Sequence, residues 1–336
     1  MPESSPRVLH VASSILAGAP ANLSLALARH SRYRSTLIQT GDFADPRRAT
    51  MAPEAIHFRS RSSTEWLCRE LLRETSIVHI HNTVHPSFLG LLAEVPNEVI
   101  FIHHAHSPLY ERPLFFDHGP GLELRLSARF AVSHFHPRAY PDAVPMPNIV
   151  PRSRPPARRA GPLRVLYSPS HRGGGRWNAK TNREFERALV AVRRLEGVDL
   201  IEVDDATPAE LFEIRTRCDV TIDEVVTGSY HLVSVEGLAA GTVVINNADE
   251  ASMWAAQMGL RSDLRPPFVR TNSEGLPETI AALRSDAEGT FEKRLQGYAF
   301  FESFMTPGRL AAIYEEEYDR LLAHERSICV CPGGHL

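Results

Sequence analysis

Residues 168–180 set three consecutive glycines, Gly173, Gly174 and Gly175, among His171, Arg172, Arg176 and Lys180. Glycine lets backbone approach a ligand closely, and guanidinium and ammonium groups complement phosphate oxygens. A diphosphate leaving group gains negative charge as the bond to it breaks, and fixed cations stabilise it without a metal. Arg172 and Lys180 are therefore the expected diphosphate groups, Arg176 is the alternative to Arg172, and Ser170 and His171 line the same loop. The plainer reading is a flexible basic loop following a strand.

Residues 218–247 read as a strand, a loop with Gly228 and Ser229, a helix starting near His231, and a second strand after Gly241. A loop feeding a helix N-terminus offers unpaired N–H groups and the positive end of the helix dipole, which suits a phosphate. The stretch from Gly228 through Ser229 to Tyr230 would be the N–H cradle, with Glu224 and His231 at its ends. Glu236 falls about one turn into the helix, where its carboxylate could accept hydrogen bonds from a ribose. An ordinary strand–helix–strand turn with a surface glutamate is the alternative.

Histidines supply a third group. Residues 99–106, Val-Ile-Phe-Ile-His-His-Ala-His, end an apolar run in polar side chains, and ligands of open α/β sheets gather beyond the carboxyl ends of strands. His104 is the residue expected at the reaction centre; alternation turns His103 to the opposite side, and His106 lies farther into the loop. Polar capping of a strand end would account for the same residues. His81 and Asn82 close a similar run, 77–82, Ile-Val-His-Ile-His-Asn, and Gly18 sits in the turn after the first strand.

These groups need a frame. At 336 residues the chain is about twice the usual single-domain size, so two domains are expected. Strand-like runs at 7–12, 35–40, 77–81, 99–103 and 130–133 alternate with helical stretches at 21–30, 66–74 and 87–93, which argues for a parallel sheet covered on both faces. The run at 130–133 is expected to be the last strand of this half. Residues 145–162 hold six prolines and four arginines, a composition that blocks helix and central strand and predicts a linker. The pattern restarts with strands at 163–167, 198–203, 220–222 and 243–246 and helices at 182–195, 208–217 and 232–240, with Thr207 as an N-cap. A last helix, 308–324, carries Leu310, Ile313, Tyr314, Tyr318 and Leu321 at helical spacing.

The stretch 218–247 resembles the nucleotide-sugar loop of the retaining GT-B glycosyltransferases of the bacterial group-1, or family-four, type. Asp219, Asp223, Gly228, Tyr230, Glu236, Ala239, Gly241, Val244 and Ile245 fall at matching positions. Glu224 stands where glutamine is common, and His231, Gly237 and Thr242 replace other usual residues. Gly228 occupies the place of a first glutamate eight residues before the helix glutamate. The resemblance implies an α/β chain of two Rossmann-like domains facing a cleft, the GT-B fold, with a C-terminal helix able to cross back to the N-domain. Its parts would be an acceptor-side domain at 1–150, a proline-rich linker at 151–162, a sugar-nucleotide domain at 163–306, the helix at 307–325 and a tail at 326–336. It also implies a transferase that moves a sugar from a nucleotide-sugar donor with retention, needing no protein nucleophile, no metal and no cofactor. The acceptor would be a glycan, a lipid-linked molecule or a small molecule.

Other classes fit less well. The net charge of −3, from 37 basic and 40 acidic residues, gives no field for nucleic acid or an anionic membrane. Four cysteines suit a reducing cytoplasm, no secretory leader or roughly 20-residue apolar span is read, and membrane contact would be at most peripheral. Cys329, Cys331 and His335 form a weak metal signal, better read as a frayed end. No dinucleotide fingerprint, P-loop or nucleophile elbow is present, and Asp204 and Asp205 are adjacent without the spacer of a metal-binding pair. Two rivals stay open: a sugar-nucleotide epimerase using Glu224 with one of His103, His104 and His106, and a non-catalytic nucleotide-sugar-binding homologue.

Overall fold

The structure, a computed structural model, describes residues 5–41, 54–106, 126–133, 138–169 and 180–329, with side chains of the last helix described as far as residue 324. The chain forms two compact units, Met1–Ile149 together with Pro307–Leu336, and Val150–Thr306.

Among its described residues the first unit has seven strands, β1 (Arg7–Ala12), β2 (Arg34–Gln39), β3 (Ile56–His57), β4 (Ile77–His81), β5 (Ile100–Ala105), β6 (Leu126–Val132) and β7 (Val144–Met146). They order as β3-β2-β1-β4-β5-β6-β7, with every pairing parallel. The expected last strand at 130–133 is therefore corrected: β7 follows it, with Pro145 inside. Proline removes a ladder donor, and β7 tolerates it because it is the sheet edge.

Among the described residues, helix α1 (Ala19–His30) joins β1 to β2, α2 (Ser63–Arg73) joins β3 to β4, and α3 (Pro86–Ala93) joins β4 to β5. Local chemistry sets their starts: Ser62 accepts from Thr64 N, and His85 accepts from Ser87 N ahead of Pro86 in the first turn. One sheet face is apolar, with Leu9, Val11, Val78, Ile80 and Phe101 packed on Cys68, Leu72, Phe88 and Leu91. Residues 19–30 and the long C-terminal helix pack on each other within this unit. That helix is extended relative to its sequence reading, running Pro307–Cys329, and all five of its stripe residues are buried. Tyr314 donates to Pro147 O at 3.1 Å and Tyr33 to Asp319 at 2.5 Å, which ties the helix to the unit.

The second unit has strands β8 (Leu163–Tyr167), β9 (Val198–Glu202), β10 (Val220–Ile222), β11 (Val243–Asn246) and β12 (Val269–Arg270), all parallel, in the order β12-β11-β10-β8-β9. Its helices are α4 (Arg183–Arg193), α5 (Pro208–Arg215), α6 (Leu232–Ala239), α7 (Glu250–Leu260), α8 (Leu276–Ser285) and α9 (Ala287–Phe304), and the helix at 307–329 is α10. Thr207 and Glu210 form a capping box on α5. Val165, Tyr167, Phe185, Val192, Ile222, Ile245 and Ile280 are among the residues of its apolar core. The proline-rich stretch predicted as a linker is corrected at its start, where Pro145 and Met146 belong to β7; residues 147–162 form no helix or strand, and from residue 150 they are tied to this unit, with Arg154 N donating to Ala239 O at 2.8 Å and Arg294 Nη1 to Ala157 O at 3.1 Å.

Candidate functional site

In the second unit, β10 ends at Ile222 and the chain turns through Asp223 and Glu224 into the loop before α6. Asp223 Oδ2 accepts from His231 N at 2.6 Å and from Ser234 Oγ at 2.7 Å, so one carboxylate fixes both the end of the loop and the first turn of the helix. Burial works against its charge, but His231, Lys180 and the Ser234 hydrogen bond outweigh that and hold the Asp223 carboxyl well below the usual range. Glu224 Oε2 accepts from Val226 N and Thr227 N at 2.8 and 2.9 Å, and its Oε1 from Thr227 Oγ1 at 2.5 Å. Gly228 has φ +73°, a left-handed conformation in which a side chain would be strained, and its carbonyl accepts from Asp249 N and Ser252 Oγ. Ser229 and Tyr230 are buried, the Tyr230 ring lying 5.4 Å from that of Phe268.

The N-cap of α6 is His231, whose side chain makes no cap hydrogen bond. Ser234 N turns back to His231 O at 3.0 Å, and a helix start without a side-chain cap presents its leading amides, at the positive end of the dipole, to an anion. One turn further on, Glu236 Oε2 meets Arg215 Nη1 at 2.7 Å. Arg215 is wholly buried and reaches Ser168 Oγ at 3.3 Å, whereas the Glu236 side chain keeps 21% of its surface. The glutamate is thus held in one orientation with an edge in solvent. Asp219, matched in sequence to the same loop, has a structural role: it accepts from Arg164 N at 3.0 Å and from Arg294 Nη1 at 2.8 Å.

In the first unit the sheet face opposite the apolar core carries imidazoles. His10 pairs in register with His79 across β1 and β4, and His81 with His104 across β4 and β5. His106 follows two residues after His104 on the same side. His79 Nε2 and His104 Nδ1 share a hydrogen bond at 3.2 Å, His10 Nδ1 and His81 Nε2 at 3.0 Å, and His81 Nδ1 and His106 Nε2 at 2.8 Å. Tyr318 of α10 meets His79 Nδ1 at 2.6 Å. Burial, reinforced by neighbouring imidazoles, holds His79, His81 and His104 well below the ordinary histidine value, and burial alone lowers His10 to about 3.

The sequence-predicted residues divide accordingly. Lys180, Glu224, Gly228, Ser229, Tyr230, His231 and Glu236 belong to the second unit. Gly18, His81, Asn82, His103, His104 and His106 belong to the first. Gly18 has φ +83° and is the N-cap of α1. His104 lies inside β5 and is fully buried, while His106, just past the strand, keeps 9% of its surface. His103 faces away from them, with Nε2 at 2.9 Å from Asn82 O, and Asn82 Oδ1 accepts from His106 N at 2.6 Å. Ser170, His171, Arg172 and Arg176 lie outside the described residues, as do Cys331 and His335. Sequence reasoning missed Arg215, His10 and His79. Two His-x-His repeats on neighbouring strands, at 79–81 and 104–106, were the available signal for the imidazole face.

No protein-family model matches the sequence, and no curated protein matches it as a relative. Solved structures do match, among them glycosyltransferases. An alpha-glucosyltransferase in complex with UDP-glucose and DNA containing an abasic site has 13% identity and a TM-score of 0.62, over 94% of this chain and 99% of that one. HepE of Anabaena, in complex with UDP and glucose, has 13% identity and a TM-score of 0.58, over 94% and 100%. An O-GlcNAc transferase mutant of Thermobaculum terrenum has 15% identity and a TM-score of 0.58, over 98% and 70%. The mixed α/β chain, with parallel sheets in both units, has the GT-B glycosyltransferase fold. Among the described residues no helix is long and apolar enough to cross a membrane.

Proposed function

We propose that the chain is a glycosyltransferase that takes a sugar from a nucleotide-sugar donor. The observation that carries this is the pairing, in one unit, of an α6 N-terminus whose N-cap side chain makes no cap hydrogen bond with a pre-oriented Glu236 one turn later. The helix N-terminus suits a diphosphate and the glutamate suits vicinal ribose hydroxyls. Lys180 and Arg172 supply cations for the leaving diphosphate, and the segment from Gly228 to Tyr230 shapes the loop beside it. The structural neighbours in complex with UDP and UDP-glucose make a uridine nucleotide the first donor to try.

The finer reading is a hexosyl transferase acting with retention, with no divalent metal at the diphosphate, in the cytoplasm. Its acceptor is a glycan, a lipid-linked molecule or a small molecule. One neighbour's structure contains DNA, but a chain of net charge −3 offers no general attraction to a polyphosphate, which favours the other acceptors. His104 is buried too deeply to touch a sugar as it stands, so the histidine proposed to lie nearest ligand is His106, with Asn82 Oδ1 on its backbone N–H setting its position. An epimerase would need Glu224 as acid or base, and its carboxylate already accepts three hydrogen bonds inside its own loop.

Incubating the protein with a panel of sugar nucleotides, UDP-glucose first, and identifying the products tests the proposal. A transferase releases nucleoside diphosphate slowly to water. Conversion of the sugar without release would make the chain an epimerase, and no product from any donor would make it a binding homologue.

A further inference from the structure

Five imidazoles on one sheet face are chemically unusual, because a neutral imidazole brings one donor and one acceptor into a space that gives it little water. Two ring nitrogens, His10 Nε2 and His104 Nε2, are buried without a hydrogen-bond partner. Such atoms are costly in a packed interior and call for an explanation, an ion among them. The candidate ligand atoms of His81, His104 and His106 all lie within 4.8 Å of one another. Those of His10, His79 and His81 do so too, but that set is wholly buried and His79 is already engaged by Tyr318. Only the outer set includes His106, which lies just past the end of β5 and keeps 9% of its surface.

We propose that His81, His104 and His106 form a site for a divalent first-row transition metal of the imidazole-preferring class, with His10 and His79 orienting two of the ligands. Parallel strand pairing sets His81 beside His104, and the two-residue strand repeat brings His106 to the same face. The tautomers follow once the metal takes His81 Nδ1, His104 Nε2 and His106 Nε2. His81 Nε2–H then donates to His10 Nδ1, and His104 Nδ1–H to His79 Nε2, across the observed 3.0 and 3.2 Å separations. His79 Nδ1–H in turn donates to the Tyr318 hydroxyl at 2.6 Å. A ligating histidine that gives its second N–H to a fixed partner is the usual outer-shell arrangement, and here histidines provide it. The unpartnered nitrogen of His104 becomes the third ligand atom. Zn–N bonds of about 2.0–2.1 Å put the N···N edges of a tetrahedral site near about 3.3 Å, so His81 and His106, now 2.8 Å apart, need separate only slightly. Three imidazoles leave a fourth position open, for water or another ligand.

The proposal concerns the first unit alone and assumes nothing about the donor. The full chain, stripped with a chelator and dialysed, is titrated with Zn2+ against a chromophoric chelator. One Zn2+ per chain is expected, unchanged in the Cys329→Ser/Cys331→Ser double variant and in His57→Ala, a histidine away from the cluster. His106→Ala, chosen because it lies past the strand end, is expected to weaken binding at least about 100-fold with native circular dichroism, and His79→Phe by about 10- to 100-fold. Co2+ in the wild-type protein reports its coordination without any variant, and a four-coordinate imidazole spectrum is expected. Absence of stoichiometric Zn2+ binding, loss of binding in the cysteine variant, undiminished affinity in folded His106→Ala, or a Co2+ spectrum of the hydrated ion would each overturn the site.

Discussion

The buried guanidinium of Arg215 holds the carboxylate of Glu236 at 2.7 Å, joining the end of α5 to the middle of α6. Glu236 therefore has two duties on the proposed reading: balancing a buried charge and receiving a ribose. A double-mutant cycle separates them. Glu236→Gln should lower donor affinity by about 1.5–3 kcal/mol and also destabilise the protein, because the guanidinium loses its counter-charge. Adding Arg215→Met should recover much of the stability and none of the donor affinity. Recovery of both, read by calorimetry and denaturant unfolding, would assign Glu236 to the ion pair alone.

Asp223 anchors the loop through His231 N and Ser234 Oγ. Asp223→Asn should cost roughly 2–4 kcal/mol at neutral pH, the scale of two charge-assisted hydrogen bonds. Its folded pKa lies below the ordinary value of 3.8, so the unfolded chain takes up the proton first. The contribution is fully present above that value and fades as pH falls below it. The gap between wild type and variant should therefore narrow below about pH 4. A gap that stays constant down to acid unfolding would contradict the assignment.

Gly237 is a packing requirement. A Cβ there would lie 2.6 Å from Val244 Cγ2 and 3.3 Å from Thr221 Cβ, so α6 sits closer to the sheet than an alanine permits. Gly237→Ala should destabilise by about 1–3 kcal/mol, and Val244→Ala in the same chain should offset part of that by opening the space. Thermal unfolding of the three variants checks it; a double variant less stable than the sum of the singles would show that the clash is elsewhere.

Much of this second unit was readable from the sequence. The strands at 163–167, 220–222 and 243–246 coincide with β8, β10 and β11, because short β-branched runs between turn residues leave little choice. The Thr207 cap was equally local. What the sequence hid is tertiary. Nothing in the spacing of Arg215 and Glu236 announces an ion pair, because it depends on how α5 and α6 pack. No clear periodicity marks 250–304, and α9 shows why: Gly289, Gly297 and scattered charges interrupt any apolar stripe in Ala287–Phe304. His104 was read as a strand-end group facing ligand. Strand β5 runs on to Ala105, and Tyr314 of α10, some 200 residues later, packs its ring 6.2 Å from that of His104. Registry between strands, which alternation within one strand cannot supply, gathered His10 and His79 into the same cluster.

Because the proposed diphosphate groups are Arg172, Lys180 and helix amides, added Mg2+ or Mn2+ should change nucleoside diphosphate release by less than about twofold. Release that depends on either ion would move the leaving-group role to a metal. A metal bound by the first unit's histidines is a separate matter, and zinc analysis of the assayed protein keeps the two apart.

Titrating the full chain calorimetrically with UDP, and with other nucleoside diphosphates if UDP gives no heat, tests the central claim most directly. The account predicts one saturable site per chain whose affinity falls at least about tenfold, or about 1.4 kcal/mol, in Glu236→Gln, measured under conditions where the variant is folded. Failure of every nucleoside diphosphate to bind the folded wild-type protein, or binding that Glu236→Gln leaves unchanged, would contradict it.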